Sequence, residues 1–151
     1  MTTSESKLQS ESDLVGRHVR FGWGQILLFL LLGLVLEAMH GFKVGWYLNA
    51  GEETRRMLLT LAHAHGVLLG LVNIAYGLTL GGLKGMTSAA GRLESPLLMT
   101  ASILLPLGFL LGGLITYGGD PGFGIFLVAP GAAALVFAVA LIFRAAVKAR
   151  G

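Results

Sequence analysis

The chain has no cysteine. Disulfides, thiolate metal sites, iron–sulfur clusters and covalently attached c-type haem are therefore excluded, and any metal must be held by nitrogen and oxygen. Charge is scarce too: Asp, Glu, Lys and Arg make up 13% of the 151 residues, against roughly 25% in a soluble domain, and 54% of residues are hydrophobic. With a mean hydropathy of +0.76, this is the composition of a membrane protein. The length leaves room for one domain only. The net charge of +3 is small and belongs to the flanks of apolar runs, so no nucleic-acid partner is expected.

What remains between the sparse charges is four long segments: 21–36, 57–83, 95–119 and 121–143. Three exceed the ~20 residues that cross a bilayer, and the first reaches that length by continuing through Glu37 and His40 to Phe42. The sequence thus predicts an all-α, integral membrane, up-down four-helix bundle over 21–147, with spans near 21–42, 54–83, 96–117 and 122–146. Residues 1–20, Ser-rich and balanced in charge, read as a flexible cytoplasmic extension unlike a signal peptide. Lys7, Arg17, Arg20, Lys84, Arg92, Arg144, Lys148 and Arg150 flank one side of the spans, against Lys43, Arg55 and Arg56 on the other. That bias predicts both termini in the cytoplasm, in a bacterial-type inner membrane. Trp46 and Tyr47 are expected at the outer interface. Asp120 is expected in a tight outer turn, capping a helix that Pro121 begins, and Ser95–Pro96 reads as the start of the third span.

Glycine is abundant, at 23 residues. On the second span His63, Gly66, Gly70, Gly77 and Gly81 fall within about 60° of one meridian at ~100° per residue. Such a stripe lets helices approach closely, either within one subunit or between copies. A homo-oligomer is the second of those expectations.

Four ionisable groups stand within the spans: Glu37, His40, His63 and His65. Such groups are expensive in a membrane and usually functional. Counted from the charged collars, all four fall in the outer third. Glu37 and His40, three apart, share a face and can offer an oxygen and a nitrogen to one metal. His63 and His65 diverge by about 200° and cannot easily chelate one ion. His63 lies on the glycine face, whereas His65 looks the other way, over Tyr76 and near Asn73. Span three offers only Thr100, Ser102 and Thr116, so the inner half reads as dry.

The stretch ETRRMLLTLAHAHGVLLGLVNIAYGLTLGG resembles helix II of subunit I of the haem–copper oxidase superfamily, which includes the nitric oxide reductases. It resembles still more closely the short four-span membrane proteins with a His-x-His at this place. The family's helix has an Arg shortly before a His, matched here by Arg55 or Arg56 and His63 or His65. The resemblance covers the first two spans, about 60 residues, and implies a haem b held by an axial His. It also implies assembly as a homotrimer, by analogy with three four-helix arcs. Arg55 and Arg56 read by position as interfacial anchors, placed also to meet Glu37 or the carboxylates of a bound cofactor. No His follows His65, so the family's copper-ligand cluster has no counterpart.

The expected function is binding of a haem, or of a copper, iron or zinc ion, in the outer half through Glu37, His40, His63 and His65, in a redox or electron-transfer role. A proton or metal-ion conduit and a non-catalytic accessory subunit of a respiratory complex are the rival expectations.

Overall fold

The computed structural model describes residues 3–83, 85–86 and 93–149. Lys84, Arg92 and Arg150, used above to orient the chain, lie outside the described residues, as do residues 87–91 between the second and third spans. Helix α1 runs Thr3–Gly41, the short α2 Gly45–Leu48, α3 Glu53–Gly82, α4 Glu94–Leu114 and α5 Val128–Lys148. Four helical stretches, all but α2, are long and apolar enough to cross a membrane. They pack in chain order, α1 on α3, α3 on α4 and α4 on α5, while among the described residues α1 and α5 share no extensive contact. One end of this row carries both chain termini, the tail end. The other carries the α1–α3 and α4–α5 connections, the hairpin end.

The first 20 residues differ from expectation. Helix α1 is continuous from Thr3 for 39 residues, about 58 Å, instead of starting at residue 21 behind a flexible arm. No proline precedes Pro96, so nothing breaks the backbone ladder, and Leu14 and Val15 pack on the tail-end core of Tyr76, Leu80, Leu98, Ala138 and Ala145.

At the hairpin end α4 stops at Leu114 because Thr116–Tyr117 (β1) pairs antiparallel with Asp120–Pro121 (β2). Gly118 and Gly119 make the turn at φ +59° and +90°, the left-handed values that two-residue hairpins require. Asp120 therefore sits in a strand and caps no helix. A 3₁₀ turn, Phe123–Leu127, leads into α5 instead. Tyr47 also departs from expectation: it is buried against Leu36 and Leu59, while Trp46 stays half-exposed.

The glycine stripe of α3 is covered by α1 of the same chain. A methyl at Gly66 would enter the ring of Phe29, and Gly70 and Gly77 meet Ile26 and Val19. The close-packing expectation is realised within one subunit, so the stripe is not a face left over for a second copy.

Candidate functional site

His63 leaves α3 toward α1 and lies flat against Gly33, where any side chain would collide with the ring. Its Nδ1 is 2.7 Å from the carbonyl oxygen of Phe29. That oxygen belongs to the residue one helical turn before Gly33, so it has a second lone pair free for an outside donor. A carbonyl only accepts, hence Nδ1 carries the proton and, in the neutral ring, Nε2 keeps its lone pair. Among the described residues Nε2 has no hydrogen-bond partner.

The ring borders a groove of about 830 Å³ whose walls include Leu30, Leu34, Leu36, Tyr47, Glu37 and His40. The sequence-predicted Glu37, His40 and His63 thus meet one groove. They do not meet one another. His63 lies at the level of Gly33, so Glu37 is one turn and His40 about two turns, roughly 6 and 10 Å, further along α1. Both are exposed side chains. Among the described residues no three His, Asp or Glu side chains are placed to hold a metal ion. Expected together in the outer third, these groups are instead spread over about two turns of α1, which is too far for one ion to reach them all.

His65 has no shared site. Its Nδ1 donates to the Leu61 carbonyl of its own helix at 2.9 Å, and its ring rests on Phe109 at 4.8 Å between centroids. It does not approach Asn73 or Tyr76.

Of the two arginines expected near a cofactor, Arg55 is already engaged. Its guanidinium donates to the Trp46 carbonyl at 2.9 Å and to Thr116 Oγ1 at 2.7 Å, lies 3.6 Å from Glu52 and stacks 4.5 Å from the Trp46 ring centre. Thr116 in turn donates to Glu52. The cluster closes the hairpin end, joining the start of α3 to β1. Arg56 is only loosely paired, 3.8 Å from Glu53, and borders a groove of about 630 Å³ shared with His40, Tyr47 and Thr60. These are also residues of the His63 groove, so the two are continuous.

The tail half is not dry. His18, fully buried, places Nδ1 2.8 Å from Asn73 Oδ1 and Nε2 2.8 Å from Ser95 Oγ. The Asn73 amide nitrogen donates to the Leu69 carbonyl and to Ser102 Oγ, at 2.9 and 2.7 Å, so Asn73 Oδ1 is left to accept from the imidazole. Nε2 then accepts from the Ser95 hydroxyl, which also receives Arg17 Nη2 at 3.1 Å. Ser102 passes its own proton to the Leu98 carbonyl at 2.7 Å. Tyr76 meets His18 edge-on at 4.8 Å. Every donor in this chain has an acceptor with the imidazole neutral, which is why it can be buried between α1, α3 and α4.

A second bond extends the same network. Pro106 stands inside α4 and has no N–H for the Ser102 carbonyl one turn earlier. Gln25 Nε2 donates to that carbonyl at 2.9 Å. An α1 side chain thus supplies the hydrogen bond that the proline removed from α4.

Sequence reasoning missed this network. His18 and Gln25 are seven apart, as are Ser95 and Ser102, spacings that put each pair on one helix face. Asn73 and Tyr76, three apart, form the matching face of α3. That periodicity was the available signal. Arg17 and Arg20 obscured it by marking His18 as outside the span.

Comparison with protein-family models, with curated proteins and with solved structures finds no match to this chain. The likeness to the oxidase helix rests on the residues quoted for it.

Proposed function

We propose that this is a multi-pass membrane protein that binds a haem in the hairpin-end groove through His63, in a redox or electron-transfer role. One observation carries the reading. The imidazole is oriented by a carbonyl on Nδ1, and an unpartnered Nε2 is left on a ring that borders a large, mostly apolar groove. The donor set suits a haem better than a bare copper, iron or zinc ion. A haem asks for one or two axial nitrogens and an apolar slot, whereas a chelated ion asks for three or four donors at one point. Gly33 would give the ring its place, Leu30, Leu34 and Leu36 would keep water out, and Arg56 would meet the cofactor carboxylates near the groove's mouth. The bound group would supply one-electron chemistry. We place the hairpin end outside and both termini in the cytoplasm. Self-association, including a trimer, would use the exposed apolar side chains of α5, such as Phe137 and Phe143, now that the glycine stripe is occupied.

The test is the visible spectrum of the detergent-purified protein before and after dithionite, with elemental analysis for iron, copper and zinc. A Soret band is expected that disappears in His63→Ala and weakens in Gly33→Val, whose side chain would displace the ring. A colourless, metal-free protein overturns the proposal.

A second reading, a proton or ion conduit, gains from the His18–Asn73–Ser102 network, because polar groups now stand in both halves of the row. Proteoliposomes made with pH-sensitive dye would show a proton leak abolished by Asn73→Leu. An impermeable vesicle rejects it.

A further inference from the structure

Helices α1 and α4 are tied at Gln25, and a furrow of about 410 Å³ lies between them. Its walls are almost wholly apolar, formed by Leu28 on α1 and Ile103, Leu107 and Leu110 on α4. Gly24 opens the α1 side, since a side chain built there would meet nothing. Arg20 stands at the tail-end mouth, exposed, and among the described residues no carboxylate pairs with it.

The shape and charge restrict what can lie there. A helix, about 10–12 Å across with its side chains, is too wide to enter between two helices joined by a side-chain hydrogen bond. The occupant must be thin, long and apolar, with an anionic end that remains at the level of the basic collar of Arg17 and Arg20. Arg matches phosphate with a planar, two-pronged donor, and its stem reaches toward the interface from an apolar wall. Polar side chains elsewhere in the furrow are few: Gln25 and Ser102, at the tie, have their bonds within the protein, apart from a buried Gln25 Oε1 without a partner.

We propose that the α1–α4 furrow binds an anionic phospholipid of the surrounding bilayer, with one acyl chain along Leu28, Ile103, Leu107 and Leu110 and the phosphate on Arg20. The site rests on insertion into a bilayer and not on the haem reading, so either can fail alone. The lipid would fill the gap that the Gln25 tie leaves open and hold the hairpin-end half of α1 against α4.

Native mass spectrometry of the full chain, reconstituted with equal phosphatidylglycerol and phosphatidylcholine, tests this. One phosphatidylglycerol per chain is expected to survive detergent stripping, favoured over phosphatidylcholine by about fivefold, the effect of one basic side chain at a membrane surface. Arg20→Gln, an exposed change that should not disturb folding, is expected to erase that preference. Gly24→Phe is expected to expel the chain and lower the retained lipid of both kinds, with far-UV circular dichroism unchanged. Equal retention of the two lipids by the unmodified protein, a preference that survives Arg20→Gln, or recovery of a free fatty acid in place of phospholipid would each overturn the proposal. If Gly24→Phe does not fold, the Arg20→Gln comparison still decides.

Discussion

His18 and His63 are the same side chain in opposite circumstances. At the tail end both ring nitrogens of His18 are engaged by neutral side chains and no surface is left open. At the hairpin end His63 uses one nitrogen on a backbone carbonyl and keeps the other beside a groove. The first arrangement binds three helices together, and the second fixes the ring while leaving one nitrogen unused. An intramembrane histidine therefore cannot be assigned a role by depth or by neighbouring charge. What separates the two is how many of its nitrogens the protein itself has already used.

The largest effect should come from breaking the saturated histidine. His18→Leu removes a fully buried imidazole and leaves Asn73 Oδ1 and Ser95 Oγ short of a partner, so stability in detergent micelles should fall by ~3 kcal/mol, read from a denaturant titration. The double variant His18→Leu/Asn73→Leu should recover part of that loss, because an acceptor left unsatisfied costs more than one removed. A loss as small as that of His65→Leu would break the distinction drawn here.

A smaller effect is expected at the proline. Gln25→Leu should cost ~1.5 kcal/mol, and the cost should shrink to below ~0.5 kcal/mol in a Pro106→Ala background, where residue 106 regains an N–H for the Ser102 carbonyl. Additive losses in the double variant would show that Gln25 does something other than replace that bond.

The smallest effect belongs to His65. It donates within its own helix and rests on Phe109, so His65→Leu should change stability by no more than ~0.5 kcal/mol and leave any His63-dependent Soret band in place. A band lost equally in both variants would place the two histidines in one site and remove the contrast.

The four spans were legible in the sequence because charge is sparse between their ends, as in the charge-free 26 residues from Met57 to Gly82. The contact of His63 with a neighbouring helix was legible too, since ~100° per residue aligns it with Gly66, Gly70 and Gly77. The partners were not. That Phe29 offers a carbonyl and Gly33 an empty face depends on the rotation of α1 against α3, which no pattern within either helix specifies. The Arg55 cluster joins residues 61 positions apart through a hairpin whose register is visible only in three dimensions. His18 was hidden for another reason. Arg17 and Arg20 on either side were taken to mark the chain as outside the membrane, while their long side chains let the backbone between them be buried.

Pro106 leaves α4 dependent on another helix for its own continuity. An isolated α4 in hydrocarbon would present the Ser102 carbonyl with no water to satisfy it, and such a group destabilises an inserted segment. The remedy is carried by Gln25, encoded 77 residues earlier. During synthesis the donor is therefore already made when the acceptor arrives. The chain's order of manufacture matches this need: α4 is complete only once it finds α1.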